Sequence, residues 1–154
     1  MLEPGDKVPT FHLSDETGQK KSLKDLVRKK GAVIYTYPKD NTPGCTIEAK
    51  EFTEHLATFR RRGYEVVGLS KDSVKSHCNF IEKHELRIPL LSDPEAELIQ
   101  GLGAWAEKKS GGKTRMGIVR ATFVVDAKGK ILKTYPSVKA RGHAEQVLDD
   151  LKSL

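Results

Sequence analysis

Two runs dominate the hydrophobic pattern of the chain: GAVIYTYP, Gly31 to Pro38, and YEVVGLS, Tyr64 to Ser70. Both are β-branched or aromatic and nearly continuous in apolar residues, which predicts central strands buried on two faces. Between them, from Cys45 to about Arg61, there is neither Pro nor Gly, and Phe52, Leu56 and Phe59 recur at helical spacing with Ala49 on the same side. That spacing predicts a helix of about four turns. Asp72 to Leu86 opens with N-cap residue types and predicts a second helix. IPLLSD, Ile88 to Asp93, predicts a short strand, and Pro94 a helix start that runs to the glycines at 101 and 103.

The two ends are patterned differently. Thr10 to Leu23 alternates weakly around the turn DETGQK and predicts an N-terminal β-hairpin extension. Lys108 to Gly117, KKSGGKTRMG, is polar and glycine-rich and predicts a loop. ATFVVD, AKGK and ILKTYP predict a hairpin, and Ala144 to Leu154 an amphipathic closing helix. Strands alternating with helices, then a hairpin and a helix, predict an α/β architecture whose parallel strands end in an antiparallel edge. No internal repeat or linker interrupts it, so residues 1–154 are expected to form one domain.

Composition narrows the function classes. Hydrophobic residues are 37% and charged residues 31%, which suits a globular chain and not a disordered one. No apolar run reaches 18 residues, and MLEPGDKVPT has no basic or apolar leader region, so neither a membrane span nor an export signal is expected. With only two cysteines a disulfide scaffold is not expected either; a reducing cytoplasm is the default compartment, and a disulfide there is more often transient than structural. The net charge of +6 is spread over short clusters at 20–21, 28–30, 60–62 and 108–109 without interleaved aromatics, so nucleic acid is not the expected partner.

The candidate chemistry sits in PKDNTPGCT, Pro38 to Thr46, where a turn delivers Cys45 to the first turn of the predicted helix. Unpaired N–H groups and the positive end of the helix dipole meet there, and both favour a thiolate, the reactive form of the side chain. Thr42 can turn its hydroxyl toward the sulfur, Pro43 and Gly44 shape the turn, and Pro38 ends the strand. A small buried hydrophobe is an equally good reading of a free cysteine from position alone.

YPKDNTPGCTIE matches the peroxiredoxin active-site pattern of proline, three residues, threonine, two residues and cysteine, with Glu48 three residues further on. The chain most resembles the bacterioferritin comigratory protein, or peroxiredoxin Q, subfamily. GDKVPTFHLSDETGQ, DSVKSHCNFIEKHELRIPLLSD and GAWAEKKSGGKTRMGIVRATFVVDAKGKI extend that resemblance over essentially the whole chain. It implies a thioredoxin-like fold with a central mixed sheet flanked by helices, and thiol-dependent reduction of hydrogen peroxide or organic hydroperoxides. Carried over, Cys45 is the peroxidatic cysteine, Thr42 and Pro38 belong to its loop, and Arg120 in GIVRATF is the active-site arginine. The chemistry agrees: a guanidinium stabilises a thiolate and its fork of donors holds peroxide oxygens. Attack on the O–O bond leaves a sulfenic acid, to be resolved by a second thiol.

Relatives that resolve through a cysteine five residues on have no counterpart here, where Lys50 stands. Others place it on the helix after the second strand, where this chain offers Cys78, about one turn before the usual position near Ile81. The resemblance thus implies an intramolecular Cys45–Cys78 disulfide recycled by thioredoxin or a similar dithiol, in a monomer without metal or organic cofactor. A one-cysteine enzyme resolved by an external thiol, and an intermolecular disulfide, remain alternatives.

Other signals are weaker. His77, Cys78 and His84 suggest a metal, but nothing supplies further ligands at a usual spacing, and helix-surface histidines are commoner. SGGKT at 110–114 lacks the first glycine of a phosphate loop, Glu107 standing in its place, and no strand leads in. A Cys/His hydrolase would pair Cys45 with His55, His77, His84 or His143; His55 lies roughly 15 Å along the same helix, too far to pair. A binding module would keep its function without Cys45. Trp105 is expected near the site or as a cap on the core.

Overall fold

The computed structural model describes residues 1–154, the side chain of Ser110 excepted. A seven-stranded sheet runs in the order β2, β1, β5, β4, β3, β8, β9, formed by Leu13–Ser14 (β1), Lys20–Lys21 (β2), Gly31–Thr36 (β3), Tyr64–Ser70 (β4), Leu90–Ser92 (β5), Ala121–Asp126 (β8) and Ile131–Tyr135 (β9). β3, β4 and β5 are parallel; β8 and β9 add an antiparallel edge beside β3, and the β1–β2 hairpin closes the other edge. The sheet is therefore the mixed one expected from the alternation of strands and helices. Every residue of β3 and β4 is buried, which is why both read as unbroken apolar runs rather than alternating ones.

Helices cover both faces. Pro43–Arg61 (α2), Val74–His84 (α3) and His143–Asp150 (α5) lie on one; Leu23–Leu26 (α1) and Glu97–Leu102 (α4) lie on the other. β3 feeds both cores by alternation: Val33 and Tyr35 join the α2 side, Ala32 and Ile34 the α4 side. α2 is held by Ala49, Phe52, Leu56 and Phe59, all fully buried, with Phe52 stacked on Tyr35 at 4.6 Å between ring centroids. Burying each such aromatic contributes roughly 1.5–3 kcal/mol, far more than helix propensity. The body of α2 is thus fixed, and only its first turn is free to be specialised.

Two elements differ from the sequence reading. Residues 108–117 are not a loop: Trp105–Ser110 (β6) and Lys113–Ile118 (β7) form a separate antiparallel hairpin. Gly111 and Gly112 turn it with φ of 58° and 79°, the left-handed pair that a two-residue hairpin turn needs. α4 starts at Glu97 and not at Pro94, because Asp93 reaches over the turn; its carboxylate accepts from the N–H groups of Glu97 and Ile99. The last helix gives way to a 3₁₀ turn at Leu151–Ser153.

Candidate active site

Thr42 is the N-cap of α2, Pro43 and Gly44 its first two residues, and Cys45 its third. The Cys45 N–H therefore belongs to the set that has no partner within a helix. Tyr37 still pairs with β4, its N–H donating to Leu69 O, and the half-buried Pro38 turns the chain off the sheet. Cys45 itself is buried, 1% exposed, and is a free thiol.

Arg120, 75 residues away at the threshold of β8, closes over this turn. Its Nη2 donates to Cys45 Sγ at 3.3 Å and its Nη1 to Glu48 Oε1 at 2.7 Å. The main chain around it is stitched at three points. Thr36 Oγ1, at the end of β3, donates to Val119 O and accepts from Ala121 N–H, while Arg120 O accepts from Val138 N–H. Gly44 leaves the space the guanidinium occupies: a Cβ there would stand 3.2 Å from Arg120 Nη2. A side chain at this position would crowd the guanidinium, while the backbone conformation makes no demand for glycine. Burial works against the charge on Arg120, but Glu48 and the sulfur raise its pKa further above the ordinary arginine range.

Glu48 is fully buried with Oε2 unpartnered, as is Tyr35 Oη nearby. Burial raises the Glu48 carboxyl to about 7, against the opposing pull of Arg120. An unpaired carboxylate oxygen in an apolar wall favours the protonated form for this reason. Because the folded pKa exceeds the unfolded value, the folded state is the better proton binder between the two, and its stability falls as pH rises through about 7. The gap between the ordinary value of 4.5 and about 7 corresponds to roughly 2–3 kcal/mol, lost progressively as pH rises from about 4.5 to just above 7. Urea unfolding at several pH values should show this slope, and Glu48→Gln should flatten it; equal slopes would place the titration elsewhere.

Several sequence expectations need adjusting. The Thr42 hydroxyl is not on the sulfur; it donates to Lys39 O at 2.8 Å. Cys78 lies exposed on α3, so the two thiols do not meet in this conformation. Trp105 packs on the core cluster of the opposite sheet face, with Lys71 Nζ 5.4 Å above its ring. His77 is no surface residue: it is fully buried, its Nε2 donating to Leu91 O and its Nδ1 2.8 Å from Asp40 Oδ2. Ligand atoms of Asp40, Asp72 and His77 lie within 4.8 Å of one another, but each residue already has hydrogen-bond partners in the protein. His84 packs edge-on against Phe80 instead of joining that group. His143 packs edge-on against Tyr135 and Phe52, bonds Thr122 Oγ1, and has its pKa lowered to about 4 by burial and by Arg120, so it is a neutral packing residue.

The sequence pointed to Cys45, Thr42, Pro38, Arg120 and, as candidate resolver, Cys78; it gave no sign of Thr36 or Asp40, and of the inward face of His77 only its spacing. His77 stands three residues before Phe80 and four before Ile81, the spacing of an inward-facing position.

The fold and this cluster define a protein class: a thioredoxin-like domain carrying a sulfur, a guanidinium and a buried carboxyl at one helix start. Comparison with known proteins agrees. The sequence matches the AhpC/TSA family over residues 4–134. A putative peroxiredoxin Bcp of Helicobacter pylori is 42% identical over 150 residues, 97% of this chain and 98% of its own. Peroxiredoxin Bcp of Bacillus subtilis is 39% identical over 153 residues, covering 99% of this chain and 97% of that one. Among solved structures, the bacterioferritin comigratory protein of Xanthomonas campestris, studied for alkyl peroxide reduction, superposes with a TM-score of 0.88 at 37% identity, covering 99% of this chain and 96% of that one.

The chain belongs to the AhpC/TSA family, within its Bcp-type peroxiredoxins. It is an enzyme, a thiol peroxidase. No helix among the described residues is long and apolar enough to cross a membrane.

Proposed function

We propose that Cys45 is the peroxidatic nucleophile, acting on hydrogen peroxide and alkyl hydroperoxides, and that Cys78 resolves it. One observation carries the reading: a guanidinium donor 3.3 Å from a buried sulfur on the first turn of a helix. The alkyl peroxide reduction studied in the Xanthomonas campestris relative supports the choice of substrate class.

In the proposed cycle the Cys45 thiolate attacks one peroxide oxygen. The S–O bond forms as the O–O bond breaks, and the departing oxygen takes a proton and leaves as water or alcohol. Charge moves onto that oxygen, where the Arg120 fork and the Cys45 N–H are placed to donate. Thr42 joins them once its hydroxyl leaves Lys39 O, and Pro38 limits solvent access. The Cys78 thiol then attacks the sulfenic sulfur; an S–S bond forms, the S–O bond breaks, and water leaves with the thiol proton. A dithiol such as thioredoxin restores both thiols. The protein works as a monomeric domain in the cytoplasm, and no metal or organic cofactor enters the cycle.

Mass spectrometry of peroxide-treated protein tests this. The intact mass should fall by two hydrogens, with the peptides holding Cys45 and Cys78 joined. In Cys78→Ser the first reaction with peroxide should persist while thioredoxin-driven turnover stops. Undiminished turnover in that variant would establish instead the one-cysteine reading with an external thiol, which the exposure of Cys78 and burial of Cys45 keep open.

A further inference from the structure

The loop that leads into α2 and the helix that carries Cys78 are fastened together around the buried carboxyl of Asp40. Its Oδ1 accepts from Tyr37 Oη at 2.6 Å, and its Oδ2 accepts from Ser76 Oγ at 2.8 Å and lies 2.8 Å from His77 Nδ1. The Asp40 N–H donates to Asp72 Oδ2 at 2.9 Å, just ahead of α3. His77 is completed by Leu91 O on β5, which accepts from Nε2, and by Tyr37 Oη, 3.3 Å from Nδ1. Asp40 is five residues before Cys45, and His77 is the residue next to Cys78.

Geometry ties these contacts to the second half of the cycle. Adjacent helix residues point about 100° apart, so the inward side chain of His77 and the outward one of Cys78 cannot both face the core. Bringing Cys78 to Cys45 requires their Cα atoms within about 7 Å. That movement turns or unwinds the start of α3 and draws His77 out. Release of Cys45 unwinds the start of α2 and shifts the loop that holds Asp40. Each motion breaks the same hydrogen bonds, so opening of either segment lowers the barrier for the other.

We propose that Asp40, His77 and Ser76 form a latch that joins the two cysteine-bearing segments and sets the rate of disulfide formation. His77 and Asp40 are positioning residues in this role; neither contacts the sulfur. The inference rests on the reading of Cys45 as nucleophile and Cys78 as resolver. It adds a determinant of how long the sulfenic acid persists, and hence of how readily a second peroxide oxidises it to the sulfinic acid.

Rapid quenching after mixing with hydrogen peroxide, read by intact-mass spectrometry, separates sulfenic acid from disulfide and so the two phases, and hydrogen exchange on the reduced protein reads the latch without any chemistry. Ser76→Ala and Asp40→Asn are the mild variants; His77→Gln is the stronger one. Disulfide formation should accelerate about five- to tenfold in the mild variants, the factor that loss of one buried hydrogen bond gives in an opening equilibrium. The first peroxide phase should change less than about twofold, since no reacting contact is lost. Exchange should quicken reciprocally: at residues 73–80 in Asp40→Asn, and at 40–47 in His77→Gln.

Unchanged second-phase rates with a lowered Tm would mean a merely structural role and overturn the latch, as would equal slowing of both phases. Reciprocal exchange in a protein that never forms the Cys45–Cys78 disulfide would identify the failure as that of the resolver reading, and the latch's proposed role would fall with it. A normal disulfide with no reciprocal exchange would sink the latch alone.

Discussion

Cys45→Ser should abolish hydroperoxide reduction, with single-turnover peroxide consumption expected to fall by about 10⁴-fold or more, the scale of effect when a covalent nucleophile is removed. The loss should occur without a comparable loss of stability, because serine is close in size and the site already holds polar partners in Arg120 and Glu48. The measurement is peroxide consumed per protein under excess reductant, together with a thermal melt. Retention of activity in a folded Cys45→Ser protein would transfer the chemistry to Cys78 or to a non-thiol mechanism. The same experiment excludes the binding-module reading, whose function would survive the change.

Arg120→Ala should lower kcat/KM for peroxide by about 10²- to 10³-fold, the usual effect of removing a donor aimed at developing charge. Stability should respond differently from Cys45→Ser. Glu48 loses the one partner of Oε1 while Oε2 has none, so the whole carboxyl is left unpaired in the core. Breaking a buried pair in this way costs roughly 3–5 kcal/mol, eased here because a carboxyl already raised to about 7 can take a proton. Two signatures follow: Arg120→Ala loses more stability at pH 8 than at pH 5, and adding Glu48→Gln recovers part of it without restoring catalysis. Arg120→Lys, with one ammonium in place of a fork, should not hold Glu48 and Cys45 together. Near-normal kcat/KM in Arg120→Ala would remove the guanidinium from the mechanism.

The parts of the fold that were legible are those whose surroundings impose a strong pattern. β3 and β4 lie in the middle of the sheet and are buried on both faces, so their sequences could hardly be other than continuous apolar runs. The β6–β7 hairpin was not legible by the same test. Its strands carry Lys108, Lys109, Lys113 and Arg115 and pair only with each other, so no buried face imposes an alternation. Its signal lay in the turn, where Gly111–Gly112 is a hairpin dipeptide, and that signal was outweighed by the surrounding polarity.

The site divides along similar lines. Cys45 was visible because helix-start chemistry is local and sequential. Arg120 carries no local mark; a single arginine before a strand became meaningful only through the family pattern, and its contact with sulfur spans 75 residues. His77 was misjudged as a surface residue because histidine is polar, although its spacing to Phe80 put it on the apolar face. The Thr42 hydroxyl, which the sequence allows to turn toward the sulfur, donates instead to Lys39 O, a rotamer choice that composition cannot decide.

The pairing of β8 beside β3 has a further consequence for a chain emerging from a ribosome. Cys45 is synthesised long before the strand that delivers its guanidinium, and at 5–20 residues per second the 75 intervening residues take about 4–15 s. Throughout that interval the nascent polypeptide holds a cysteine with no guard. The contact between sulfur and guanidinium is assembled only when β8 docks beside β3, so translation itself delays their meeting.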